Sequence, residues 1–361
     1  MLKIPINSPL VGNDEYEAIS KIFKNSSLTS SSFSGGKTVQ NFEKIVAKFT
    51  KSKFVIAVNS GTAALQASLL SLDIKEGDEI LVPSFSFIAT ANAVASTGAK
   101  PVFVDILKEN YTINPDDIEK KITKKTKAII PVHLFGHVAF VDRISEIANR
   151  YNLHVIEDSA QSLGSFYKQK HSGTFFDLGC FSMYPGKVMT SGEGGFILTQ
   201  NKKLHDKLLM IRNHGLSKDN EFKIFGLNFR LSEIHAAIGR AQMKKLPKFL
   251  KIRKENARIF SELLCNRNLR IPQPRNNEQV NWYLYTVSTD KQKILLNNLQ
   301  KKGIQAQSYY STPIHKTQIY HNKSKLSITD WASSHLVSLP VHPHVTKTNI
   351  ELMVSIIDKS L

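Results

Sequence analysis

The sequence predicts an α/β fold: a mainly parallel central sheet with helices on both faces, followed by a smaller α+β unit. Three observations carry this prediction. From residue 54 onward, short apolar runs alternate with helical stretches, the pattern that builds a parallel sheet from βαβ units. No period of about 20 to 50 residues repeats, which excludes a solenoid. Beyond Pro272 and Pro274 the composition shifts, and new strand and helix signals begin. At 361 residues the chain has room for one large and one smaller domain. These are expected over 1–244, with an N-terminal arm over about 1–36, and over 245–361.

Taken in order, the arm holds a first amphipathic helix over 14–23, which Asn13 is placed to cap. A Ser-rich loop over 25–36, with paired glycines, reads as irregular structure. Its length of about a dozen residues suggests a functional connection. A second amphipathic helix covers 39–49. The apolar run 54–58 reads as a buried strand, followed by Asn59-Ser60-Gly61-Thr62 and a helix over 63–70. Further strands are expected over 79–82, 101–104, 128–132 and 154–157, with helices between them over 88–97, 114–122 and 138–150. The strand-like run 178–183 ends in Tyr184-Pro185-Gly186, whose adjacent proline and glycine force a turn and stop a helix. Lys187 follows at once. Gly192-Glu193-Gly194-Gly195 then returns the chain to an apolar run over 196–199. A long helical pattern spans 231–264, with a kink expected at Pro247. The smaller unit shows a strand over 281–288, a helix over 291–301 and a strand over 304–307.

Composition narrows the function classes. With 41% apolar and 22% charged residues the chain reads as ordinary soluble globular protein. No run reaches the roughly 18 to 20 apolar residues of a membrane span. The N-terminus, Met1-Leu2-Lys3-Ile4-Pro5-Ile6, lacks the hydrophobic region of a signal peptide. The two cysteines, Cys180 and Cys265, match no metal-ligand spacing and suit a reducing compartment. A cytoplasmic protein without a metal or a membrane partner is therefore expected. The net charge of +18 raises the question of nucleic acid. Yet the lysines are spread along the chain, with one short cluster over 120–127, and no nucleic-acid-binding motif accompanies them. A basic surface of this kind also steers small phosphorylated ligands.

Four stretches carry chemistry. Lys187, held on a shaped loop at a strand end, has the setting for a Schiff-base lysine, although a lysine in a Gly-rich turn is usually just solvated. Asn59-Ser60-Gly61-Thr62 lies between a strand and a helix, where free N–H groups and the helix dipole make an anion site. Plain capping by Ser60 or Thr62 accounts for it equally well. Glu157-Asp158 ends a strand and sets a carboxylate at the sheet rim, either as a cap or as the partner of a cationic ring nitrogen. In Pro83-Ser84-Phe85-Ser86-Phe87, Phe85 reads as core, and Phe87 as a ring able to stack.

Together these stretches describe a pyridoxal-phosphate site, and at this point the sequence resembles the sugar aminotransferases of the DegT/StrS group, within fold type I of the PLP enzymes. The matching stretches are 59–65, 83–90, His133-Leu134-Phe135-Gly136, 157–164, 181–187, 192–195, Arg212-Asn213-His214-Gly215 and 226–239. The resemblance implies that Lys187 carries the cofactor and moves a proton, and that Asp158 keeps the pyridine nitrogen protonated. It places Gln161 near the ring hydroxyl and Phe87 against the ring. Ser60, Gly61, Thr62 and Ser182 would hold the phosphate, with Asn228 reaching it from the other subunit of a homodimer. Arg230 and His315 match positions that handle the amino donor's carboxylate, while Tyr184 and Glu193 would shape the substrate pocket. The implied reaction moves an amino group, by family analogy from glutamate, to a keto sugar of a nucleotide-diphosphate-sugar, for amino-sugar and polysaccharide biosynthesis. A cyclitol (keto-inositol) aminotransferase is the alternative. A sugar dehydratase of this fold would carry histidine in place of Lys187. A desulfurase would need a cysteine on a mobile loop, whereas Cys180 falls inside a strand. A regulator or nucleic-acid binder would have no use for the Lys187 and Asp158 pair. Tyr184-Pro185-Gly186 and the N-terminal loop depart from the group's usual forms, which leaves the sugar open.

Overall fold

The computed structural model describes residues 4–361. Its first half runs α1 (Asn13–Lys24), α2 (Lys37–Thr50), β1 (Phe54–Val58), α3 (Gly61–Ser71), β2 (Glu79–Pro83), α4 (Ala89–Ala95), β3 (Lys100–Val104), α5 (Pro115–Lys121), β4 (Thr126–Ile129), α6 (Val141–Tyr151) and β5 (His154–Asp158). Then come β6 (Phe166–Tyr167), β7 (Lys170–His171), β8 (Leu178–Ser182), β9 (Gly195–Thr199), α7 (Lys202–Arg212) and α8 (Glu233–Leu264). The chain closes with β10 (Glu278–Gln279), β11 (Tyr285–Ser288), α9 (Gln292–Lys301), α10 (Ser327–His335), β12 (Leu336–Leu339) and α11 (Lys347–Asp358).

Seven strands form the central sheet in the order β1-β9-β8-β5-β4-β2-β3. Pairings from β8 through β5, β4 and β2 to β3 are parallel, and β9 runs antiparallel between β8 and β1. The strands are short runs such as Phe54-Val55-Ile56-Ala57-Val58, buried on both faces as a helix-covered sheet requires. Because β1, β2, β5 and β8 point the same way, their carboxyl ends share one edge, and the start of β9 joins them there.

Local chemistry sets the helices. Ser60, Asn114, Asn201, Ser232 and Thr346 each accept a backbone N–H at a helix start. On α2, Val39, Phe42 and Val46 recur at helical spacing and are fully buried, with Phe42 edge-on to Phe196 at 6.0 Å. Each such side chain contributes about 1.5–3 kcal/mol of burial. A separate apolar cluster joins Ala257, Phe260 and Leu264 at the end of α8 to Tyr285, Val287, Leu295, Val337, Leu339 and Ile350. The expected division at 245 therefore falls inside one continuous helix.

Some local expectations are corrected. The N-cap of α1 is Gly12, not Asn13: the Glu15 carboxylate reaches back to accept the Gly12 N–H at 2.8 Å, so the helix begins a residue early. Of the strand expected over 281–288, only Tyr285–Ser288 forms, because Trp282 has a left-handed φ of 53° that a ladder cannot accommodate. Residues 304–307 make single bridges, Ile304 to Ile4 and Gln307 to Ser338, in place of a strand. Among the described residues no helix is long and apolar enough to cross a membrane, and no cluster of three metal-ligating side chains occurs.

Candidate active site

The shared carboxyl edge of β1, β2, β5 and β8 opens into a cavity of about 550 Å³. Ser60, Gly61, Thr62, Phe87, Asp158, Gln161, Ser182, Tyr184, Lys187 and Glu193 all line it. Residues separated by more than a hundred positions meet here because parallel strands deliver their following loops to one side.

At the end of β1 the capping reading of the Asn59–Thr62 turn is observed, and it leaves the anion reading room. The Ser60 hydroxyl caps α3 by accepting the Ala63 N–H at 3.0 Å. The N–H groups of Gly61 and Thr62 lie in the first turn of α3, where no intrahelical partner exists, and they remain available to an anion. Glycine is required at 61: a Cβ there would sit 2.8 Å from the Ser182 Cβ, so the end of β8 crowds directly against the helix start.

β5 delivers Asp158 to the rim at 5% exposure. Its carboxylate accepts the Thr90 hydroxyl at 2.8 Å and the Ala160 N–H at 3.2 Å. Burial pushes this carboxyl above the usual carboxylate range, and the Thr90 and Ala160 hydrogen bonds and the nearby Lys187 charge only partly oppose that push. The preceding acid has a different fate, since alternation along the strand turns it to the other face. Glu157 is fully buried and accepts from His133 Nε2 at 2.9 Å and from the N–H groups of Gly173, Phe175 and Phe176. The Ala139 N–H donates to His133 Nδ1, so the ring proton sits on Nε2. Glu157 knits the sheet to the 171–176 loop.

The turn after β8 closes with the Lys187 N–H donating to the Tyr184 carbonyl at 2.9 Å. Lys187 is half-buried as a residue, and its amine lies 5.2 Å from the centre of the Tyr283 ring. Desolvation lowers the amine to about 8, with Asp158 opposing the shift. A raised acid and a lowered base in one pocket are the pattern expected where charge is exchanged during reaction.

Gln161 is locked: its oxygen accepts the Phe135 N–H at 2.8 Å and its amide donates to the Tyr310 hydroxyl at 2.8 Å. Phe87 and Tyr184, 62% and 55% exposed, face the mouth, while Phe85 is wholly buried in the core. Three expected residues lie outside the cavity of their own chain. The Asn228 carbonyl accepts from Asn59 Nδ2 at 3.0 Å. Arg230 donates to Asn213 Oδ1 at 2.7 Å. His315 is 1% exposed, and its Nδ1 lies 2.7 Å from the Ser84 hydroxyl. Conversely, Tyr283, Tyr309 and Tyr310 line the cavity, and sequence reasoning did not find them. The aromatic clusters Trp282-Tyr283 and Tyr309-Tyr310 were the available signal.

The sequence profile of the DegT/DnrJ/EryC1/StrS aminotransferase family matches residues 13–358. The chain is 34% identical over 358 residues to the GDP-perosamine synthase of Escherichia coli O157:H7, covering 97% of this chain and 96% of that protein. It is 33% identical over 337 residues to the UDP-N-acetyl-3-dehydro-alpha-D-glucosamine 3-aminotransferase of Acidithiobacillus ferrooxidans, covering 92% and 91%. The crystal structure of S. venezuelae DesV superposes with a TM-score of 0.91 at 31% identity, covering 96% of this chain and 93% of that one. Aminotransferases of this family use pyridoxal phosphate.

Proposed function

We propose that this chain, which belongs to the DegT/DnrJ/EryC1/StrS aminotransferase family, uses pyridoxal phosphate in the cavity described above to move an amino group from glutamate to the keto carbon of a nucleotide-linked sugar. The observation that carries the reading is that Lys187, Asp158 and the free amides of Gly61 and Thr62 line one cavity. The donor set fits the group. The two amides suit a phosphate. Asp158 is a buried carboxyl with no cation at ion-pair distance among the described residues, which suits a protonated ring nitrogen. The bound cofactor acts as an electron sink for the carbanion formed at the donor's α-carbon.

The chain's own residues then have separable tasks. Gly61 and Thr62 fix the phosphate through their N–H groups, and the Ser60, Thr62 and Ser182 side chains complete that end. Asp158, held by Thr90 and Ala160, would pair as a carboxylate with the protonated ring nitrogen. Gln161, its amide fixed by Phe135 and Tyr310, would hold the ring's hydroxyl, and Phe87 would pack against the ring. Lys187 Nζ anchors the cofactor and afterwards takes the proton from the donor carbon. Near pH 7 an amine of pKa about 8 is unprotonated roughly a tenth of the time, against less than about one part in a thousand for an ordinary lysine. Tyr184 and Glu193 border the sugar side. A second copy of the chain in a homodimer would bring Asn228 and Arg230 to the phosphate and donor ends. The +18 charge favours an anionic nucleotide-sugar, and GDP- and UDP-linked names among the relatives support the same class.

Two measurements test this. With glutamate, the protein is expected to aminate at least one member of a panel of 3-keto and 4-keto nucleotide sugars, read by mass spectrometry; turnover of keto-inositols alone would transfer the assignment to cyclitols. Gly61→Ala is expected to weaken cofactor binding by about tenfold or more, because the new Cβ closes the cleft against Ser182. Titration of stripped protein with the cofactor checks it, and wild-type affinity would remove Gly61 from the phosphate site.

A further inference from the structure

Arg253 is 2% exposed, yet its guanidinium meets no carboxylate among the described residues. A buried charge without a counter-ion is costly and calls for a reason. Its Nη1 donates at 3.1 Å to the carbonyls of both Trp282 and Tyr283, and its Nε has no partner. Those carbonyls belong to the one left-handed step in the segment, Trp282 at φ 53°. A non-glycine residue persists there only when its surroundings over-determine it. Asn281 fixes the other side of the same turn. Its amide donates to the carbonyls of Gln161 and Leu163 at 2.9 and 3.0 Å, and its oxygen accepts the Tyr283 N–H at 2.9 Å. The turn is thus clamped between α8 and the loop that follows Asp158. Its product is the position of one ring: Tyr283, 6% exposed, lies over the Lys187 amine at 5.2 Å. Arg253 and Lys187 also both line a small void of about 10 Å³, room for a water and not for a substrate carboxylate.

We propose that Arg253 is a positioning residue for Lys187: by clamping the strained Trp282–Tyr283 turn it keeps the Tyr283 ring over the lysine amine and water off that side of it. The inference rests on Lys187 being the reactive amine of the reading above. Burial lowers the amine to about 8. Asp158 opposes that shift; Arg253 touches the Trp282 and Tyr283 carbonyls, so its path to the amine runs through the ring they carry.

The test uses full-length protein stripped of cofactor. Competitive acetylation with acetic anhydride across a pH series, read at the Lys187 peptide by mass spectrometry, gives the amine's midpoint. Wild type is expected near 8. Tyr283→Ala and Arg253→Met admit water, which favours the charged form, so both midpoints are expected to rise by about one pH unit, a tenfold change in proton affinity. Tyr283→Phe keeps the ring and is expected to keep the midpoint, and Arg253→Lys, with one carbonyl still within reach, to shift it less than Arg253→Met. In a Tyr283→Ala background, Arg253→Met is expected to add nothing, since both act through one ring. A wild-type midpoint in folded Arg253→Met, additive shifts in the double variant, or loss of the fold in both Arg253 variants would each overturn the proposal. Failure of borohydride to fix the cofactor on wild-type Lys187 would instead sink the cofactor reading, while leaving the acetylation midpoints measurable.

Discussion

Lys187→Ala is expected to lower turnover by about 10⁴-fold, some 5.5 kcal/mol of barrier, the upper range for removing a positioned proton carrier. The loss is large because one amine has two tasks, anchoring the cofactor and carrying the proton. Among the described residues no other amine lines the cavity to take over either task. Both half-reactions should fail together, so single-turnover mixing with glutamate alone shows the defect without any sugar. The absorption band that borohydride abolishes in the wild type should be missing as well. Retention of that band, with turnover within tenfold of wild type, would place the chemistry elsewhere.

Asp158→Asn is expected to reduce turnover by about 10³-fold, in the range seen when one preorganised electrostatic partner is lost. Both oxygens of Asp158 accept, one from Thr90 and one from Ala160. An asparagine amide matches only one of those donors and faces the ring nitrogen without charge. Stability of the stripped protein should move the other way. The Asp158 carboxyl is raised in the folded chain, so the folded state holds its proton more tightly than the unfolded state does. The penalty is absent below the ordinary carboxyl pKa, grows as pH rises toward the folded value and is fully present above it. Stripped wild type should therefore gain stability on mild acidification through this group, and stripped Asp158→Asn should lose that gain. Thermal melts across pH, with and without cofactor, separate the effects. A cofactor-induced rise in Tm that is as large in Asp158→Asn as in wild type would contradict a charge pairing at this position.

Much of the fold was legible because its strands are short, apolar and bounded by glycine, proline or a capping residue. Phe54–Val58 with Ser60, and Leu178–Ser182 before Pro185, are of this kind, and the α/β expectation agrees with the observed sheet and with the superposition on DesV. Parallel topology then sends the loops after such strands to one edge, which is why residues picked from four separate stretches line a single cavity. What escaped was set by tertiary contacts. Trp282 reads as a strand residue by propensity, but Arg253 and Asn281 hold it in a left-handed turn. Tyr310 lines the cavity with its hydroxyl bound by Gln161, 149 positions away, a contact no local pattern shows. Glu157 and Asp158 look equivalent in sequence, and the alternation of the strand alone gives one to the core and one to the site. His315 matched a family position but packs behind Ser84 in its own chain.

The most direct measurement is the mass of one peptide. Protein incubated with pyridoxal phosphate, reduced with borohydride and digested should carry the phosphopyridoxyl addition on the peptide containing Lys187, and Asp158→Asn should lower its yield at limiting cofactor. An unmodified Lys187 peptide, with the label spread over the chain's many surface lysines, would contradict the account at its centre.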